Sequence, residues 1–280
     1  MLRCRPFAFH CRFPLLWINR FITMRKNDLP PPVPAARSVT GMIAIVGCDG
    51  CGKSTLTADL VSRMNLQRAT TRCYLGLISG EQGDKIKRLP LIGPWLERRL
   101  AAKSEKTQSM RNRSPPLWAA LVMYGLSCWR ARNLRKAQRL AASGVLVIGD
   151  RYPQAEVAGF HYDGPGIGPE RANGWLITRL ARKEQQLYRQ MALLRPQLII
   201  RLAIDVDTAF SRKPDHSYSE LGDKIAVMTR LNYNGARIVD LDSRAPYQQV
   251  FSAALAALSG VAVAGEESAN CDHSLFSNNR

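Results

Sequence analysis

The chain has 280 residues, of which 46% are hydrophobic and 22% are charged. This balance excludes wholesale disorder and a collagen-like fibre. The 40 lysines and arginines outnumber the 22 acidic residues and give a net charge of +18. The longest apolar run, Leu117–Trp129, is shorter than the ~18–20 residues that cross a bilayer. The seven cysteines form no regular framework, which favours a reducing compartment over a secreted disulfide scaffold.

Positive charge is concentrated in two segments. Residues 1–40 hold seven basic residues and one acid, and residues 85–139 hold fourteen basic residues and two acids. A concentration of this kind points to an anionic partner, such as phosphate groups, nucleic acid or a membrane surface. A solvated helix face explains it equally well.

The domain organisation follows from these charges and from the proline distribution. Residues 1–40 are predicted to be a basic extension that is disordered or spurious, with Met1, Met24 and Met42 as alternative starts. The alternative is a mitochondrial presequence over residues 1–24, although Pro6 and Pro14 would break its helix. We expect one domain over residues 41–260 and a flexible tail over 261–280. The expected location is the cytoplasm, with no transmembrane segment, and a homodimer is left open.

Hydrophobic patterning within the domain predicts strands that alternate with helices. In chain order the strands are Met42–Gly47, Cys73–Leu75, Val145–Gly149, Leu198–Ile204 and Ile238–Leu241. The helices are Ser54–Leu66, Leu117–Ala142, Gly174–Leu194 and Tyr247–Leu258. This alternation predicts βαβ units, and hence an α/β fold with a parallel sheet.

The residues after the first strand fit the phosphate-binding pattern G-x-x-x-x-G-K-[ST], the P-loop. Glycines allow the backbone to turn so that successive N–H groups point at phosphate oxygens. Lys53 can reach the β- and γ-phosphates of ATP, and the Ser54 hydroxyl can ligate Mg²⁺. The predicted nucleotide-binding residues are Gly47, Cys48, Asp49, Gly50, Cys51, Gly52, Lys53, Ser54 and Thr55.

Cys48 and Cys51 also form a C-x-x-C pair inside this loop. Metal binding would need a second pair of ligands, which the sequence lacks. We therefore interpret both cysteines as small space-filling residues.

Two further pairs of residues are candidates for chemistry. Asp150 and Arg151 follow a buried strand, at the edge where α/β sheets bind ligands. Asp150 can hold a Mg²⁺-bound water or accept a hydroxyl proton, and Arg151 can bind an anionic acceptor. Arg212 and Lys213 begin a polar segment, residues 213–223, that is predicted to be a loop over the site. Cations there can neutralise the phosphoryl group in transit.

These motifs together resemble the thymidylate kinase family of P-loop nucleoside-monophosphate kinases. The resemblance covers Met42–Leu258 and includes the acid at Asp49 of the P-loop, the sequence Asp150-Arg151-Tyr152, and the segment from Pro196 to Ala209. It implies a P-loop NTPase fold with a five-stranded parallel sheet flanked by helices. It also implies transfer of the γ-phosphoryl group of ATP to dTMP with Mg²⁺.

The resemblance assigns roles to individual residues. Asp49 would contact the sugar hydroxyl of the acceptor, and Arg151 would contact its phosphate. Because the P-loop has no arginine, Arg212 and Lys213 would supply the lid cations. Lys53, Asp150, Arg151, Arg212 and Lys213 are therefore the predicted catalytic residues, with Ser54 and Asp150 at Mg²⁺.

The sequence departs from the family around the acceptor. Residues 76–81 replace an Arg-Glu-Pro-Gly-like segment, residues 153–163 lack the family's Ser and Tyr-Gln pair, and residues 84–113 form a basic helical insertion. The acceptor is thus a small phosphorylated molecule, with dTMP first, or a sugar or other anionic molecule. A regulatory or nucleic-acid-binding protein without turnover is the alternative, in which residues 85–139 would bind the anionic partner.

Overall fold

The computed structural model describes residues 36–76, 114–157, 160–161, 164–170 and 172–261. Residues 1–35, the basic insertion at residues 84–113 and the tail from residue 262 lie outside these ranges. Among the described residues, no helix is long and apolar enough to cross a membrane.

Five parallel strands form the central sheet, in the order β2-β3-β1-β6-β7. A short antiparallel pair, β4 and β5, lies outside it. The strands are β1 (Arg37–Gly47), β2 (Thr70–Tyr74), β3 (Leu146–Asp150), β4 (Phe160–His161), β5 (Gly164–Pro165), β6 (Leu194–Ala203) and β7 (Ile238–Asp242). The helices are α1 (Lys53–Asn65), α2 (Leu117–Ala142), α3 (Trp175–Ala192), α4 (Val206–Arg212), α5 (Tyr218–Arg230) and α6 (Tyr247–Leu258). The predicted fold class is confirmed.

The three inner strands carry the core. Every residue from Met42 to Val46 is fully buried, as are Leu146–Ile148 of β3 and Leu198–Ile200 of β6. Continuous apolar runs are typical of strands that helices cover on both faces. The carboxyl ends of these strands form the edge at which loops can hold a ligand.

The structure differs from the sequence-based expectation by three residues or more in four predicted segments. Strand β2 begins at Thr70 and not at Cys73. Strand β1 begins at Arg37, so ordered structure starts inside the segment assigned to the extension. Strand β6 begins at Leu194 and includes Pro196, which a register shift between Val39 and Ile43 accommodates. The predicted loop over residues 213–223 is wrong in its second half, because α5 begins at Tyr218.

Arg201, an unexpected charge inside a strand, has a structural explanation. Its guanidinium forms an ion pair with Asp240 on the neighbouring strand β7. It also donates to the carbonyl oxygens of Met228 at 2.9 Å and Leu231 at 3.2 Å. Arg201 thus fixes the C-terminal end of α5 to the sheet.

Candidate active site

The loop between β1 and α1 has the geometry that its glycines predict. Gly50 and Gly52 have φ angles of +87° and +88°, in the left-handed region that favours glycine. A Cβ atom at Gly47 would overlap Sγ of Cys51. Glycine is therefore required at all three positions for this loop shape.

Lys53 directly follows the loop and its side chain reaches back into it. It is the first residue of α1 and only 6% exposed. Its Nζ donates to the carbonyl oxygen of Cys48 at 2.6 Å and lies 3.7 Å from Sγ of Cys51. Ser54 and Thr55 follow on the exposed side of the first helical turn, which contains no acid. The positive end of the helix dipole is thus open to an anion.

Asp49 links the P-loop to two other parts of the chain. Its Oδ1 accepts a hydrogen bond from Nη2 of Arg151 at 3.2 Å, and its Oδ2 accepts from Nζ of Lys224 at 2.6 Å. Lys224 lies on α5 and also approaches Glu220 at 3.4 Å. Residues from the P-loop, the end of β3 and α5 therefore meet at one carboxylate.

The charges in this cluster stabilise one another. Burial favours the neutral form of Asp49, but Lys224, Lys53 and Arg151 outweigh it and hold the pKa of the carboxyl well below its usual range. Burial likewise opposes the charge of Lys224, but Asp49 and Glu220 raise the pKa of its ammonium. Both groups are therefore charged at neutral pH.

Asp150, at the end of β3, is fully buried. Its Oδ2 accepts a hydrogen bond from Arg72 on β2 at 3.1 Å. Its Oδ1 has no hydrogen-bond partner among the residues that the structure describes. An unsatisfied buried carboxylate oxygen is costly, and a metal-bound water would satisfy it.

The unpartnered Oδ1 of Asp150 is one of the oxygens that could serve a Mg²⁺ site. In the described ranges, no cluster of three or more His, Cys, Asp or Glu side chains could hold a metal ion. Mg²⁺ commonly depends on one or two protein oxygens together with waters and substrate phosphates. Ser54 and Asp150 fit that limited donor set.

Arg151 has a left-handed backbone conformation, and a buried side chain donates to its carbonyl oxygen. Its φ of +66° is uncommon for a residue other than glycine. Nη2 of Arg130, on α2, donates to the carbonyl oxygen of Arg151 at 2.9 Å, and Nη1 donates to the hydroxyl of Tyr188 at 3.3 Å. Arg130 is fully buried and forms no ion pair with any acidic side chain in the described ranges. It is therefore a buried cation next to Arg151.

Arg212 and Lys213 both lie against the P-loop. Arg212 donates to the carbonyl oxygens of Gly50, at 3.4 Å, and Ser243, at 3.2 Å. Cγ of Lys213 lies 3.4 Å from the position that a Cβ atom would take at Gly50. Arg212 thus joins the P-loop to the turn after β7.

Side chains of the segment after Arg151 form hydrogen bonds with backbone groups. The side chain of Gln154 is buried and bonds to both the N–H and the carbonyl oxygen of Val157. Glu156 accepts from the N–H groups of Asn232 and Asn234. These polar side chains therefore bind neighbouring backbone groups.

Sequence reasoning did not single out Arg130, Lys224 or Arg72. The first two lie on buried helix faces, Arg130 beside Ser127 and Leu134, and Lys224 between Leu221 and Met228. A charged residue in the apolar stripe of a helix is a signal that the sequence contains. Arg72 offers no such signal, because β2 is a short edge strand.

The combination of sheet and loop defines the class of protein. A P-loop follows the central strand of a parallel sheet, and an acid ends the adjacent strand, where Asp150 pairs with Ile45. These are the features of the P-loop NTPase fold.

Comparison with known proteins gives the family. The chain is 61% identical over 244 residues to the uncharacterized ATP-binding protein YghR of Escherichia coli (strain K12), covering 87% of this chain and 96% of that protein. It is 47% identical over 218 residues to the uncharacterized ATP-binding protein YghS of the same strain, covering 78% and 92%. The chain belongs to the family that contains YghR and YghS.

Two other comparisons add less. No protein-family model matches the chain. A solved structure of deoxyadenosine kinase from M. mycoides with dCMP and dCDP covers 79% of this chain and all of its own, at 16% identity and a TM-score of 0.47. These values establish no relationship, so the family assignment rests on the E. coli proteins.

Proposed function

We propose that the protein binds ATP in the P-loop and transfers its γ-phosphoryl group to a small phosphorylated acceptor, with dTMP as the first candidate. The observation that carries this proposal is the hydrogen bond between Arg151 and Asp49 at 3.2 Å. It brings a cation suited to an acceptor anion against the loop suited to the donor phosphates. The proposal therefore places two phosphorylated ligands side by side.

The described residues provide for the donor. Lys53 would exchange its contact with the Cys48 carbonyl oxygen for the β- and γ-phosphate oxygens, and the N–H groups of the loop would bind the same phosphates. Ser54 and Asp150 would hold Mg²⁺, the latter through a water at its unpartnered oxygen. Mg²⁺, when bound, neutralises charge on the β- and γ-phosphates. The ATP-binding names of the E. coli relatives support this donor.

The transfer itself requires positioning and charge stabilisation. An oxygen of the acceptor phosphate forms a bond to the γ-phosphorus of ATP, the bond to the β,γ-bridging oxygen breaks, and ADP leaves. Arg151 would orient the acceptor, while Lys53, with Arg212 and Lys213 as lid cations, would stabilise charge on the phosphoryl group. No side chain needs to form a covalent intermediate.

The test is ADP release from ATP and Mg²⁺ with dTMP, other nucleotides and sugars. The variant Lys53→Ala should lower acceptor-dependent release at least about 100-fold. Arg63→Ala removes a cation from the exposed side of the same helix and should leave the rate unchanged.

Each outcome has a distinct meaning. Stimulation by dTMP alone supports thymidylate as the acceptor. Stimulation only by a sugar supports a kinase with a different acceptor. ATP binding with no stimulation by any acceptor contradicts the kinase proposal and favours a nucleotide-dependent regulatory protein. Full activity of Lys53→Ala would show that the P-loop does not hold the donor.

A further inference from the structure

The carboxylate of Asp49 lies between two cations that come from different elements. Arg151, directly after β3, contacts Oδ1, and Lys224, at the middle of α5, contacts Oδ2. The two cations thus face a common position from two directions. A phosphate group presents two oxygens at a similar spacing, so it can accept from both cations as the carboxylate does.

The cluster has more positive than negative charge. Among the described residues, Lys53, Arg151 and Lys224 carry three positive charges around the P-loop, and Asp49 and Glu220, which contact them, carry two negative charges. The buried Arg130 adds a further positive charge behind Arg151. An anionic ligand would balance this excess, and its attraction would be strong because the side chains of Asp49 and Lys224 are only 16% and 14% exposed.

We propose that Lys224 and Arg151 form a two-cation clamp for the phosphate of the acceptor, and that Asp49 holds both cations in place until the acceptor arrives. This inference rests on the proposed function and extends it. It makes α5, whose first residues were predicted to be a loop, a direct source of acceptor specificity. A neutral nucleoside lacks the group that the clamp binds.

The contacts of α5 hold Lys224 at a fixed position for the clamp. The C-terminal end of the helix is fixed to β6 through Arg201, which contacts the carbonyl oxygens of Met228 and Leu231. At the middle of the helix Lys224 pairs with Asp49, and three residues closer to the N-terminal end Sγ of Cys48 donates to the carbonyl oxygen of the buried Leu221 at 3.9 Å. A phosphate that takes the place of Asp49 as the partner of Lys224 would therefore be bound by a helix that is already held on both sides of Lys224.

The clamp is tested by binding, which does not depend on turnover. Isothermal titration calorimetry compares dTMP with thymidine, dCMP with deoxycytidine and AMP with adenosine, each with and without saturating ADP. The variants are Lys224→Met, which removes the charge, and Lys224→Arg, which keeps it. Arg230→Met is the matched control, because it removes an exposed cation from the same helix.

The wild-type protein should bind at least one monophosphate about tenfold or more tightly than its nucleoside. Lys224→Met should reduce that preference about tenfold with little change in ADP affinity, Lys224→Arg should restore most of it, and Arg230→Met should leave it unchanged. A merely structural role of Lys224 would weaken the binding of nucleosides and monophosphates alike.

Three results would overturn the clamp. They are an unchanged preference in Lys224→Met, equal binding of a nucleoside and its monophosphate by the wild type, and binding of no monophosphate at all. The proposed function fails separately, when the wild type binds neither ADP nor ATP. In that case the titrations without ADP still measure whether Lys224 contributes to the preference for a monophosphate.

Discussion

Arg130 donates a hydrogen bond to the carbonyl oxygen of Arg151 at 2.9 Å, and so connects the buried face of α2 to the acceptor side of the site. The guanidinium also lies over the ring of Tyr188, at 5.7 Å from the ring centre. Nε of Arg130 has no hydrogen-bond partner among the described residues. A buried cation with only neutral acceptors is expensive, and we therefore expect Arg130 to act on the site through Arg151.

We expect Arg130→Met to affect activity more than stability. The change removes the desolvation penalty of a buried charge, which is several kcal/mol. It also leaves the Arg151 carbonyl and the Tyr188 hydroxyl without their donor, at about 1–3 kcal/mol each. These opposing terms should leave the free energy of unfolding within about 1–2 kcal/mol of wild type, as measured by urea denaturation.

The acceptor side should respond differently. Without the hydrogen bond from Arg130, the backbone at Arg151 is less firmly positioned. We therefore expect the KM for the acceptor to rise at least about tenfold. Arg132→Met, an exposed change on the same helix, should alter neither quantity. Strong destabilisation of Arg130→Met with normal acceptor kinetics would show that Arg130 is purely structural.

The shape of the P-loop should depend on the contact between residues 47 and 51. Gly47→Ala places a methyl group against Sγ of Cys51, so the loop must open. We expect the affinity for ATP, measured by calorimetry, to fall about tenfold or more. Adding Cys51→Ala removes the sulfur and should restore part of the affinity, because the remaining contacts with Leu202 at 3.2 Å are less severe.

Gly125 provides a control for the variants at residues 47 and 51, because a methyl group added there meets no other atom. Gly125 lies on an exposed position of α2, where an added Cβ meets nothing within 4 Å. Gly125→Ala should stabilise the protein by about 0.5–1 kcal/mol without changing ATP affinity. If the double variant at residues 47 and 51 binds no better than Gly47→Ala, the overlap with sulfur is not the cause.

Much of the fold could be predicted from local pattern. Helices α2 and α6 have the predicted bounds, because long periodic stretches end at Gly144 for α2 and begin after Pro246 for α6. The buried strands around Met42 and Leu146 are continuous apolar runs. Strand β6 was predicted too short, since Pro196 argues against a strand and only the irregular pairing with β1 accommodates it.

The site could be predicted where chain neighbours form it. The P-loop motif placed Lys53 and Asp49 together, and the end of a buried strand placed Asp150. The contact of Lys224 with Asp49 joins residues 175 positions apart, and no local pattern encodes that distance. Sequence periodicity shows only that Lys224 shares a helix face with Leu221 and Met228.

The two cysteines of the P-loop should be unreactive in the folded protein. Burial, with a smaller effect of Asp49, raises the pKa of the Cys48 thiol to about 11, and burial raises the pKa of Cys51 as well. Both are thus protonated at about pH 8, and a thiol is a poor nucleophile compared with a thiolate. Peptide mapping after iodoacetamide treatment should find neither residue alkylated in the native protein and both alkylated in urea. Rapid labelling of Cys48 in the native state would contradict the interpretation of these cysteines as space-filling.

The ion pairs of Asp49 should give the protein a defined dependence of stability on pH. The folded-state pKa of Asp49 lies below its ordinary value of 3.8, so its ion pairs stabilise the fold above that value and lose their effect as pH falls further. We expect Asp49→Asn to lower the free energy of unfolding by about 1–3 kcal/mol at neutral pH, with the same difference from about pH 5 to 8 and a smaller one below about pH 4. Urea denaturation across this range measures the difference, and Asp223→Asn, an exposed change on α5, should follow the wild type throughout. A difference that stays constant down to about pH 3 would mean that the cost of Asp49→Asn does not come from the charge of Asp49.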